Sequence, residues 1–126
     1  MCGIIGYTGK RDVTPLLVQG LRRLEYRGYD SAGIAVAGRG RFEVRKEVGR
    51  VADLERTVES TLRGTTGIAH TRWATHGGVT KPNAHPHLDN EGRIVVVHNG
   101  IIENMAPLKA RLISEGAIFR SETDSV

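Results

Sequence analysis

Glycine sets the strongest constraint on this sequence: 16 of its 126 residues are glycine, and most stand at the ends of short apolar runs. Each run is thereby bounded, so the elements are short and the turns between them frequent. No internal repeat, low-complexity tract or Pro/Ser-rich linker interrupts the pattern. The chain reads as one domain.

The spacing of apolar residues gives the elements. Cys2–Tyr7 reads as a short buried strand. Asp12 or Thr14 is placed to cap a helix that opens on Pro15, where the missing N–H costs nothing. Leu17, Leu21 and Leu24 share a face of that helix, and Gly28 follows its end. Ser31–Ala37 and Arg41–Val48 flank Gly38-Arg39-Gly40 as a hairpin, with Phe42, Val44 and Lys46 on one parity. A second helix is expected over Val51–Leu62, with Leu54, Val58 and Leu62 as its stripe. Thr66–Thr71 and Ile94–His98 read as strands. The glycine-rich, polar stretch Trp73–Arg93 between them is longer than a structural loop needs to be, and such loops carry function. Asn104 is placed to cap a third helix through Glu115, closed by Gly116, and Ala117 begins a further strand. Strands and hairpins alternating with helices predict a layered α+β domain, not a regular parallel array.

Composition excludes several classes. Lys+Arg exceed Asp+Glu by 18 to 14, a mild excess scattered among acids, and aromatic residues are 5%. Neither a nucleic-acid groove nor a stacking platform is indicated. No run approaches the ~20 apolar residues that span a bilayer, and no signal peptide is apparent, so no membrane partner and a cytoplasmic address are expected. One cysteine cannot form an internal disulfide.

That cysteine is at position 2. Initiator methionine is normally removed before a small residue, which would leave Cys2 as the N-terminus with a thiol and a free α-amine on one residue. An α-amino group titrates near ~7.7–8.0, so much of it can accept a proton at neutral pH, and a thiol near ~8.5 is readily activated. On position alone, a small buried core cysteine is the commoner reading. A second candidate is Asn99-Gly100 at the end of Val95–His98, where a side-chain amide and an open backbone N–H can form an oxyanion hole. Taken alone, the dipeptide is more commonly a hairpin turn, and that reading prevails. A third is His70–Gly77. Arg72 can clamp a carboxylate or stack on Trp73, Thr75 and His76 add donors, and Gly77-Gly78 free the loop. Asp124, in Ser121-Glu122-Thr123-Asp124, can hold an ammonium group, or the segment can open a helix. His70, His76, His85, His87 and His98 lack a second cysteine or a carboxylate pair at ligand spacing, so no metal site is expected. Gly3–Arg11 lacks the Gly-Lys-Ser/Thr ending of a phosphate loop.

Six motifs stand in order along the chain: Met1–Gly6, Leu24–Gly33 (LEYRGYDSAG), His70–Gly77 (HTRWATHG), Asn83–His87 (NAHPH), His98–Asn104 (HNGIIEN) and Ser121–Asp124 (SETD). Together they resemble the glutaminase domain of the class II glutamine amidotransferases, which belong to the N-terminal-nucleophile hydrolases. The Glu25–Asp30 variant is similar to the hexosamine-forming branch of that family more than to the purine-pathway branch. The resemblance implies a four-layer αββα sandwich, no cofactor, and glutamine as substrate. It implies attack by Cys2 on the glutamine amide, an oxyanion hole of Asn99 and Gly100, Arg72 and Asp124 on the substrate carboxylate and ammonium, and Thr75 and His76 fixing the substrate. Trp73 would gate the site and Arg27 would support the nucleophile. The family's glutaminase domain is longer than 126 residues. Residues 1–126 are therefore expected to be one such domain truncated on its C-terminal side, with the isomerase domains and their fructose-6-phosphate site absent and a homodimer formed only at full length.

Overall fold

The computed structural model describes residues 1–58 and 62–125. Its centre is a four-stranded antiparallel sheet of β1 (Gly3–Thr8), β2 (Ser31–Gly38), β3 (Arg41–Val48) and β4 (Thr66–Arg72), in the order β1-β4-β2-β3. Register fixes which side chains share a face, because directly opposed residues of an antiparallel pair point the same way. Gly33 and Ile4 both lie opposite His70, and Ser31 lies opposite Arg72. His70 and Arg72 therefore project from one face, and Ala69 and Thr71 from the other.

The second face carries the helices α1 (Val13–Leu24) and α2 (Val51–Val58). Leu17 and Leu21 of α1, Leu54 and Val58 of α2, and Leu62 pack on Ala32, Ile34, Val36 and Ala69 to form one apolar core. The expected helix Val51–Leu62 is thus seen through Val58; its continuation over residues 59–61 lies outside the described residues. Neither proposed cap is made: Asp12 stands at the N-cap without a side-chain bond, and the Thr14 hydroxyl donates to the Leu62 carbonyl, 2.6 Å away.

Two strand expectations are corrected. β1 is an edge strand with alternating burial, not a buried one, because only β4 pairs with it. No strand forms after Ala117: the Asn90 side chain takes up both backbone groups of Ile118, accepting from its N–H and donating to its carbonyl at 2.8 Å each. The Arg39-Gly40 hairpin turn forms as expected, both residues having positive φ, the geometry that matches strand twist. Of Ile94–His98, only Val95-Val96 pairs as a strand (β6), against His87-Leu88 (β5). The Asp89 carboxylate closes the intervening turn by accepting from Arg93 and Ile94 N–H. This ladder draws residues 83–88 and 95–100 over the sheet face that bears His70 and Arg72. Gly33 makes the approach possible, since a Cβ there would fall on the His85 carbonyl. Last comes α3 (Met105–Ser114), none of whose residues is buried.

Candidate active site

The end of β4, the start of β1 and the segments 97–100 and 123–124 converge on one cavity of about 430 Å³. Cys2, Arg27, Arg72, Trp73, Thr75, His76, Asn99, Gly100 and Asp124 all line it. Every site residue expected from the sequence is therefore brought to one place, across 122 positions of chain.

The nucleophile candidate is held from three sides. Trp73 donates its backbone N–H to Cys2 Sγ at 3.2 Å. The Cys2 carbonyl accepts from Arg27 Nε at 3.3 Å and from Asn99 Nδ2 at 3.1 Å. The first holds the sulfur, whose thiol in turn meets the Trp73 carbonyl at 3.6 Å, and the other two fix the residue's backbone at the wall of the cavity. Arg27 sits in a single 3₁₀ turn, Glu25–Arg27, that closes α1, and Asp30 then fixes the far side by accepting from Ala74 N–H at 2.8 Å. The Trp73 ring meets Tyr29 edge-on, with centroids 6.3 Å apart, and does not stack on Arg72.

Asn99 and Gly100 are not a hairpin turn; they follow β6 and turn toward Cys2. Asn99 Oδ1 lies 2.8 Å from His70 Nε2. Since Asn99 Nδ2 is already a donor to Cys2, its oxygen is the acceptor, and His70 carries its proton on Nε2. One Nδ2 proton and the Gly100 N–H, which meets no acceptor among the described residues, remain for an oxyanion. A Cβ on Gly100 would stand 2.8 Å from His98 Nε2, so glycine is required for the backbone to lie against that ring.

The histidines form a stacked column behind the site. His70 and His85 stack with centroids 4.1 Å apart, and His85 meets His87 at 4.4 Å. Burial, first, drives all three toward the neutral form: His70 and His87 fall to about 4, and His85, which also feels the positive potential of its neighbours, to about 2. No group of three or more His, Cys, Asp or Glu side chains among the described residues is arranged to hold a metal ion.

The head-group residues are engaged with protein. Arg72 donates to the carbonyls of His76, Gly77 and Gly78. Three of its five donors are thus committed to the loop, and two are left for a ligand. Asp124 accepts from Ile102 N–H at 2.7 Å, and Ser121–Asp124 opens no helix: Ser121 Oγ instead accepts from Thr123 N–H at 3.1 Å. Thr75 and His76 lie on the exposed loop between these groups. His70 enters the sequence only as a candidate metal ligand, and nothing local marks Asp30 as part of the site. The period of two along β4, which puts His70 on the face of Arg72, was the available signal.

No family model matches the chain. Over 126 residues it is 56% identical to the glutamine–fructose-6-phosphate aminotransferase (isomerizing) of Symbiobacterium thermophilum and 57% identical to that of Caldanaerobacter subterraneus subsp. tengcongensis, covering 99% of this chain and 21% of each relative. The chain spans about a fifth of the length of these curated relatives. Among solved structures it is similar to the glutamine phosphoribosylpyrophosphate amidotransferase of B. subtilis (TM-score 0.84, 28% identity, 99% of this chain and 27% of that one). A second, described as the allosteric regulatory enzyme of purine biosynthesis, gives a TM-score of 0.83 at 28% identity, over 99% of this chain and 28% of that one. The fold is thus the α+β N-terminal-nucleophile type expected, with one helical layer, one sheet and the β5–β6 ladder of the second sheet formed. The resemblance to glutamine amidotransferases drawn from the six motifs holds in both comparisons.

Proposed function

We propose that this chain is the glutaminase part of a glutamine–fructose-6-phosphate aminotransferase of the class II amidotransferase family, with Cys2 as its nucleophile once Met1 is removed. The observation that carries the reading is the bond from Asn99 Nδ2 to the Cys2 carbonyl, 3.1 Å long and spanning 97 positions. It sets an amide donor beside the thiol in the cavity that also holds Arg72 and Asp124.

In this reading the Cys2 α-amine takes the thiol proton and the sulfur attacks the carboxamide carbon of glutamine. The electron pair moves to the carbonyl oxygen, where the free Nδ2 proton of Asn99 and the Gly100 N–H receive it. As the tetrahedral species collapses, the α-amine returns its proton to the leaving nitrogen. Ammonia departs and a thioester remains. Water then attacks the thioester, releasing glutamate and restoring the thiol, so that glutamine and water become glutamate and ammonia. Arg72 faces the substrate carboxylate, Asp124 its ammonium, and Thr75 and His76 flank it, with Trp73 at the mouth.

Fructose-6-phosphate would be aminated in the portion of such proteins outside residues 1–126, and a homodimer would be a property of the full-length protein. A cytoplasmic address fits soluble sugar-phosphate chemistry, and no helix among the described residues is long and apolar enough to cross a membrane. Glutamate release from L-glutamine by the Met1-processed polypeptide, assayed beside Cys2→Ala, tests the reading. Turnover lost in the variant supports it; equal turnover in both refutes it.

A further inference from the structure

The motif Asn83–His87 has no part in the chemistry above, yet its first residue is 2% exposed and fully bonded. Asn83 Nδ2 donates to the Gly78 carbonyl at 3.0 Å and to Glu122 Oε2 at 3.1 Å. Its Oδ1 accepts from Glu122 N–H at 2.8 Å. Glu122 in turn accepts from Gly78 N–H at 3.3 Å, so three residues close a ring of hydrogen bonds. The Gly78 carbonyl is shared with Arg72, whose Nη1 lies 2.9 Å away. Gly77 has φ +76°, and a Cβ there would stand 2.9 Å from Asn83 Nδ2. An asparagine that served only its own turn would spend its amide locally; this one spends it on a residue 39 positions away.

We propose that Asn83 is a positioning residue for the amino-acid head group, clasping loop 76–78, which Arg72 holds, to segment 122–124, which bears Asp124. The inference rests on the glutaminase reading. A free amino acid presents its carboxylate and ammonium at a fixed separation, so a site that reads both needs a fixed gap between its cationic and anionic walls. Asn83 is the buried link across that gap. The Glu122 carboxyl, held below its ordinary range first by the Asn83 amide and then by Gly78 N–H, stays charged as the acceptor.

The test is glutamate release by the complete Met1-processed polypeptide in Asn83→Asp, Glu122→Gln and the double variant. Asn83→Asp sets two carboxylates against each other and is expected to raise the KM for glutamine ~10-fold, the equivalent of one lost hydrogen bond, with kcat within about two-fold. The double variant removes that repulsion by setting an amide against a carboxylate, but leaves the Gly78 carbonyl without its donor, so KM is expected to recover part of the way toward wild type and to fall clearly below that of Asn83→Asp. A KM unchanged in Asn83→Asp, or a fall in kcat alone, overturns the proposal, as does a double variant no better than the single. Where Asn83→Asp does not fold, Glu122→Gln and the double variant decide by the same KM comparison. Hydrogen exchange at the Gly78 amide separates the two claims. A wild-type polypeptide that releases no glutamate sinks the glutaminase reading and the head-group role with it. Exchange that is no faster in Asn83→Asp overturns the clasp itself.

Discussion

His70 donates from Nε2 to Asn99 Oδ1 across 2.8 Å, and that bond decides which end of the Asn99 amide faces Cys2. Were the amide turned over, its oxygen would meet the Cys2 carbonyl and repel the charge that forms in acyl transfer. The histidine is 1% exposed and stacked on His85, so its ring has little freedom to release its partner.

Truncating His70 therefore acts on the chemical step more than on binding. His70→Ala is expected to lower kcat about 10–100-fold, less than loss of an oxyanion donor itself, with KM for glutamine within about three-fold. His70→Gln, which keeps a donor, recovers part of the loss. Steady-state glutamate release checks this; a rise in KM with kcat intact would contradict it.

Asn99→Ala removes one of the two donors outright. A fall in kcat of about 10²–10³ is expected, the usual effect of deleting such a donor. Asn99→Asp should be at least as damaging, because a carboxylate can neither donate to the Cys2 carbonyl nor face an oxyanion. Burst-phase measurement of ammonia release separates this loss from slow thioester hydrolysis.

Acid should unfold the domain early. His70, His85 and His87 are neutral in the fold down to about 4, 2 and 4, whereas an unfolded histidine titrates near 6.5. Between those values the unfolded chain binds protons that the folded one refuses. The stability they support is complete above about pH 6.5 and is lost as pH falls toward 4. All three act in the same direction, so the loss of stability with falling pH is steeper than a single histidine would give. A urea midpoint followed from pH 7.5 to 4.5 should decline steeply below 6.5; a flat profile would contradict the buried column.

Gly33→Ala tests the packing that seats the site. The added methyl meets the His85 carbonyl and the Pro86 ring, and the 83–88 segment must lift from the sheet. A loss of about 1–3 kcal/mol is expected, typical of overpacking, with glutaminase activity falling in parallel because His85 supports His70. Thermal melts paired with activity at a permissive temperature check both halves.

Much of this was legible in the sequence, and the reason is local. Leu17, Leu21, Leu54 and Val58 recur at helical spacing, and Arg39-Gly40 carries the turn chemistry of a two-residue hairpin, so the helices and the β2–β3 pair follow from near neighbours. The site residues were legible through their motifs, each weak alone. What stayed hidden depends on distant pairing. Ile94–His98 has strand composition, but only Val95-Val96 finds a partner; residues 97–100 leave the ladder to reach Cys2. Asn90 captures Ile118 and prevents a strand after Ala117, a contact no periodicity announces. The ring of Asn83, Gly78 and Glu122 likewise needs two loops to meet before any of its bonds exists.

The most direct trial of an N-terminal thiol acting on a carboxamide is the intact mass of the processed polypeptide before and after exposure to a glutamine-like electrophile. A single adduct is expected on Cys2 of the Met1-free chain, blocked by excess L-glutamine and absent in Cys2→Ala. An adduct that persists in Cys2→Ala, or a Met1-free chain that takes up none, would contradict it.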